Sequence, residues 1–267
     1  FGGKMVNQRK LQQEALSKLS DLIQEDLSGI SAIKIYGQES SEYNQFNKFN
    51  KAYRNAAENM HRYCDGHAVG LRKSIGDRFC CDPARIVCGA GSDEIIQMLI
   101  RAYAGPGEEL IFSKHGFSIY PIFAVGAGVN PVAADETDLT ADTEKILSKV
   151  TDRTRLVFLA NPNNPTGQLM LEREEIISLL DKYPNSIFWV DEAYVQYISR
   201  EEHTPLSDLV PKYNNLYISR TFSFAFGLAG ARIGYLLGPK ESIDTFKGQV
   251  TNYRLGTLQE ALAIAAL

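Results

Sequence analysis

The chain has 267 residues, a net charge of −4, and hydrophobic and charged fractions of 44% and 22%. Those are the proportions of an ordinary soluble protein, long enough for a buried core. The charge gives no electrostatic case for nucleic acid or an anionic membrane surface, and no apolar run reaches the roughly 18 residues of a membrane span.

Residues 7–60 lack proline. Leu16, Leu19, Ile23, Leu27 and Ile30 recur at three and four residues, the stripe of an amphipathic helix. Gly37 is a plausible break, after which Tyr43, Phe46, Phe49 and Tyr53 continue the spacing. We read a first segment, residues 1–52, as one long helix or two in tandem.

Beyond it, short apolar runs alternate with helix-like stretches. The runs are Arg85–Cys88, Glu109–Phe112, Asn130–Ala133, Leu156–Leu159, Ile187–Val190, Leu216–Ile218 and Ile233–Leu236. Between them lie Asp93–Tyr103, Tyr120–Gly126, Thr140–Val150 and Glu172–Tyr183. Continuous apolar strands separated by helices predict an α/β fold, a mostly parallel seven-stranded sheet covered on both faces. Such sheets bind ligands beyond the carboxyl ends of their strands.

The chemistry-bearing residues fall at those ends. Gly89-Ala90-Gly91-Ser92-Asp93-Glu94 follows a strand and opens a helix, where backbone amides and the helix dipole suit a phosphate; a tight turn with Ser or Asp as N-cap is the alternative. Asn161-Pro162-Asn163-Asn164-Pro165-Thr166-Gly167 is a rigid turn expected to aim asparagine amides outward at a ligand hydroxyl, or simply to turn the chain. Asp191-Glu192-Ala193-Tyr194 ends a buried strand, and a carboxylate there needs a cation or a capping role. Arg232, beside a glycine-rich turn, has a guanidinium matched to phosphate. The four cysteines show no C-x-x-C spacing and read as reduced thiols of a cytoplasmic protein. The four histidines are scattered, so no metal site is expected.

In their order and spacing, Gly91-Ser92-Asp93, the Asn-Pro-Thr-Gly turn, Asp191–Tyr194 and Thr221-Phe222-Ser223…Arg232 resemble a fold-type-I aminotransferase dependent on pyridoxal phosphate (PLP). Met60–Gly66 and His115-Gly116-Phe117 through Tyr120-Pro121 narrow the likeness to the histidinol-phosphate aminotransferases, over about residues 53–267. The resemblance implies amino transfer between histidinol phosphate and 2-oxoglutarate, in histidine biosynthesis, by a cytoplasmic homodimer. It implies that the amides of Ser92 and Asp93, the Ser223 hydroxyl and Arg232 cradle the cofactor phosphate. Phe117 would stack on the ring, Asn164 and Tyr194 would bond its hydroxyl, and Asp191 would keep its nitrogen protonated. Tyr63 matches a tyrosine that reaches into the neighbouring subunit's site.

The chain departs from that family at its centre. Phe224 stands where the family has the lysine that forms the Schiff base, so PLP is expected to bind non-covalently at most, and turnover to be impaired. Loss of general acid–base help alone is worth about 10²–10⁴-fold. A non-catalytic PLP- or phosphate-binding module is the alternative. Residues 1–52, through Glu14–Ser17, Gln24–Ile30 and Ile33–Glu39, resemble a cytoplasmic helical extension of an ABC exporter's membrane domain, which opens the further reading of an exporter-derived fragment. Leu267 falls near the start of the family's small C-terminal domain, so that domain is expected to be largely missing.

Overall fold

The computed structural model describes residues 39–199, 205–249 and 253–267. Residues 1–55 and 56–267 are separate units, each considered by itself. The stripe from Leu16 to Ile30 lies outside the described residues. The aromatic continuation forms α1 (Glu39–Glu58), which carries Tyr43, Phe46, Phe49 and Tyr53. Among the described residues no helix is long and apolar enough to cross a membrane.

The second unit is built on one seven-stranded sheet. Its strands are β1 (Ile86–Gly89), β2 (Glu109–Ser113), β3 (Asn130–Ala134), β6 (Thr154–Ala160), β7 (Ile187–Asp191), β8 (Leu216–Thr221) and β9 (Gly234–Leu237), in the order β1-β9-β8-β7-β6-β2-β3. All seven apolar runs are strands of this sheet. Pairing is parallel from β3 through β8, while β9 runs antiparallel to both β8 and β1. Strand β3 holds Pro131, which has no N–H to give a ladder, and accordingly lies at an edge. A small hairpin, β4 (Glu136–Thr137) with β5 (Thr140–Ala141), follows it.

Successive side chains of the central strands enter opposite cores, as the two-residue period requires. Val157, Leu159, Phe188, Val190 and Ile218 face one, with α2 (Val69–Phe79), α5 (Thr143–Ser148), α6 (Arg173–Lys182) and α8 (Thr257–Ala266). Leu156, Phe158, Trp189 and Tyr217 face the other, with α3 (Gly91–Tyr103), α4 (Ile119–Gly126) and α7 (Lys240–Gln249). In α3 the apolar residues Ile95, Ile96, Leu99 and Ile100 fall on one face and are fully buried, each stabilising by about 1.5–3 kcal/mol. Helix α5 is shorter than its expected span of Thr140–Val150, because Thr140–Ala141 pairs in the hairpin and Asp142 caps the helix at the Lys145 amide (3.2 Å). Glu175 begins α6 by accepting from the Glu172 amide (2.8 Å).

Candidate active site

The parallel strands β2, β6, β7 and β8 end at one margin of the sheet. So does β1, and there antiparallel β9 begins: Gly234 lies opposite Gly89 on one side and Thr221 on the other, while Asp191 pairs with both Ala160 and Ser219. Four loops from different parts of the sequence therefore emerge side by side.

The first is the turn from β1 into α3. The helix starts at Gly91 rather than Asp93, with no side-chain cap, so its leading amides are left for other partners. Gly91 has φ +80°, and a Cβ there would lie 2.6 Å from Arg232 Nη2. A Cβ on Gly234 would meet Gly91 C and Ser92 N at 2.7 Å. Both glycines are needed for this close approach. Arg232, itself in the left-handed region at φ 51°, donates to Asp93 Oδ2 at 2.7 Å. Arg232 and the first turn of α3 thus lie in contact.

The second loop follows β6. Here the outward-pointing asparagine amides expected from the sequence need correction: Asn161 and Asn163 are fully buried. Asn161 Oδ1 accepts from the Met170 and Leu171 amides, and its Nδ2 donates to Leu171 O at 2.9 Å. Asn163 Nδ2 donates to Thr166 Oγ1 and His115 O. These amides fasten the loop to itself because its backbone would otherwise be buried without partners. Asn164 alone faces the third loop, where its Oδ1 accepts from the Tyr194 hydroxyl at 3.4 Å.

Asp191 ends β7, 3% exposed. It does not cap a helix. Its Oδ2 accepts from Tyr120 (2.8 Å) and its Oδ1 from Ser219 (2.9 Å), whose oxygen in turn accepts from Trp189 Nε1 (2.6 Å). Burial raises the Asp191 carboxyl above its ordinary value, a rise that the bonds from Tyr120, Ser219 and the Ala193 amide only partly offset. Burial, with the Asp191 charge beside it, pushes the Tyr120 hydroxyl well up, so it stays a donor. Phe117 packs edge-on against Tyr120, ring centroids 5.7 Å apart.

The fourth loop, after β8, carries Ser223 and Phe224. The Ser223 amide donates to Thr221 Oγ1 (3.0 Å), and the two hydroxyls lie 2.9 Å apart. Phe224 is 38% exposed, with its ring 4.7 Å from that of Tyr194. Beneath these loops Glu192 accepts from Arg220 Nε (2.8 Å) and from the Leu206 amide (2.9 Å), both side chains being buried. Burial works against the Arg220 charge, and the Glu192 carboxylate more than restores it. Tyr63 stands apart, 82% exposed with its ring 4.9 Å from Tyr253.

Trp189, Ser219, Glu192 and Arg220 had no assigned part in the sequence reading. For Glu192, Ser219 and Arg220 the signal was there, since polar residues following the apolar runs of β7 and β8 are buried and need partners; Trp189 lies inside the run of β7, where its indole N–H needs an acceptor. All four cysteines are free, and among the described residues no cluster of His, Cys, Asp and Glu could hold a metal.

A helix N-terminus and an arginine at one end of this margin, with a buried carboxylate held by neutral donors further along, place groups suited to an anion and to a cation along one edge of an α/β sheet. Comparison makes the assignment specific: residues 36–267 match the aminotransferases of class I and II, and the chain belongs to that family. Residues 1–63 match the ABC transporter transmembrane region. Similar proteins include the histidinol-phosphate aminotransferase of Rhodospirillum centenum, 41% identical over 81% of this chain and 60% of that protein. That of Rhodospirillum rubrum is 47% identical over 71% and 51%. Among solved structures, a histidinol-phosphate aminotransferase from Sinorhizobium meliloti in complex with pyridoxal-5'-phosphate superposes with a TM-score of 0.77 at 29% identity, covering 82% of this chain and 60% of that one. The chain thus spans about half to three-fifths of the length of such relatives.

Proposed function

We propose that residues 53–267 are the large domain of a PLP-dependent aminotransferase of the histidinol-phosphate type, able to hold the cofactor non-covalently and impaired in turnover. The observation that carries this reading is Asp191, a buried carboxylate whose bonded partners are hydroxyls and an amide. Such a group fits a protonated ring nitrogen.

In this reading Arg232, the Ser223 hydroxyl and the Ser92 and Asp93 amides bind the phosphate. Tyr194 and Asn164 hold the ring hydroxyl, Phe117 covers a ring face, and Asp191 keeps a proton on the ring nitrogen. Gly91 lets Arg232 come close, and Gly234 lets β9 pack on the Gly91-Ser92 backbone, which brings the parts of that cradle together. Bound pyridoxal phosphate supplies an electron-withdrawing ring that stabilises negative charge on an attached carbon. Phe224 offers a ring contact with Tyr194 but no nitrogen for covalent attachment and no proton to move. The substrates follow the relatives: an amino donor such as histidinol phosphate, and a 2-oxo acid. A homodimer would cover the exposed Tyr63, and four free cysteines are in keeping with a reducing cytoplasm. We assign residues 1–52 to a separate segment of exporter type, on its match to the transporter region.

The test is to titrate PLP and to introduce Phe224→Lys. The native chain should bind PLP with a shifted absorbance yet show no added mass after borohydride reduction. Phe224→Lys should gain the mass of the reduced cofactor. A folded Phe224→Lys chain that neither binds nor gains mass refutes the reading.

A further inference from the structure

Trp189 and Asp191 lie two residues apart on β7, on one face of the strand, and Asp191 pairs in register with Ser219 on β8. Trp189, Ser219 and Asp191 are respectively 1%, 0% and 3% exposed. An indole N–H can only donate, and an ionised carboxylate can only accept. The 2.6 Å bond from Trp189 Nε1 therefore occupies Ser219 Oγ as an acceptor, which leaves the single hydroxyl hydrogen to point at Asp191 Oδ1, 2.9 Å away. With Asp191 ionised, donor inventory fixes the direction of the chain. Tyr120, from α4, fixes the other oxygen.

We propose that Ser219 and Trp189 are positioning residues, a one-way hydrogen-bond relay that holds the Asp191 carboxylate charged and oriented for a cationic ring nitrogen. The groups facing Asp191 are Tyr120 from α4, Ser219 from β8 and the Ala193 amide from its own loop, with Asp93 of α3 opposing through like charge. Only the first three favour the ionised form. Bonds in such a buried series reinforce one another. Removing the Ser219 hydroxyl leaves the Trp189 N–H without its acceptor and Asp191 without one of two side-chain donors. The proposal rests on the role given to Asp191 above.

The experiment follows the Asp191 carboxyl carbon by NMR across pH in the ligand-free chain, with Asp191→Asn identifying the signal. Ser219→Ala should move the titration midpoint upward, Ser219→Thr should restore it, and Trp189→Phe should move it in the same direction as Ser219→Ala. Pyridoxamine phosphate should bind Ser219→Ala about tenfold more weakly than the native chain, and Ser219→Thr like the native chain. A midpoint unmoved in Ser219→Ala, or moved equally in Ser219→Thr, overturns the relay whatever happens to thermal stability. If the native chain does not bind pyridoxamine phosphate, the proposed function fails, while the ligand-free titration still decides the relay.

Discussion

Glu260 should make the stability of this protein fall as pH rises from 4.5 to about 7. Its side chain lies in α8 against a small cavity also lined by Asp65, Cys88, Arg254 and Leu255, and it is 9% exposed. Its Oε1 has no hydrogen-bond partner among the described residues. Burial, then the nearby Asp65 charge, pushes its carboxyl up to about 7 from an ordinary 4.5. Arg254 lines the same cavity, but its guanidinium lies 3.7 Å from the Glu94 carboxylate. In the unfolded chain Glu260 loses its proton near 4.5, whereas in the folded chain it keeps it until about 7. Between those values the folded state binds more protons, so stability declines with rising pH and levels off above 7. At about 1.4 kcal/mol per pH unit, the full decline from this group is about 3 kcal/mol. Glu260→Gln keeps the shape without the titration. Relative to the native chain it should be near neutral at pH 4.5 and stabilising by about 3 kcal/mol at pH 8, a rise in melting temperature of about 6–12 °C. Urea unfolding of both proteins at several pH values measures the difference, which cancels the other titrating groups. Two stability curves that run parallel from pH 4.5 to 8 would refute the argument.

Further outcomes follow from the site and its frame. Arg232→Gln should weaken binding of PLP by at least about tenfold, since a charge-assisted phosphate contact is lost; equal dissociation constants by fluorescence titration would remove Arg232 from the phosphate site. Gly234→Ala should destabilise by about 1–3 kcal/mol, because its methyl would press on the Gly91 and Ser92 backbone, as chemical denaturation would show. Arg220→Met should cost about 3–5 kcal/mol by leaving the Glu192 charge buried and unpaired. Adding Glu192→Gln should recover part of that loss, and a double-mutant cycle with no coupling would argue against the pairing.

The sheet was legible because every central strand is buried on both faces, and a strand so placed must be apolar throughout. The direction of β9 was not legible. Ile233–Leu236 looks like any other buried run, and only the return of the chain from β8 across the Phe222–Arg232 loop sets it antiparallel. Of the site, the segments at the strand ends could be read from residue type and order. Asn161 and Asn163 could not be told from Asn164, because turn residues that fasten a loop and those that face a ligand share the same chemistry. The bond between Trp189 and Ser219 joins residues thirty positions apart, a pairing that depends on strand register and hence on the whole sheet.

Position 224 has a consequence for how such a protein can change. The side chain there is 38% exposed, and its turn is closed by backbone, the Gly227 amide donating to the Phe224 carbonyl. The framework below it is tied instead by Glu192 with Arg220, by Asn161, and by the paired glycines. On the proposed reading, foldability and reactivity are written in different residues: exchanging Phe224 for lysine would change what the site can bond covalently while leaving those framework ties untouched.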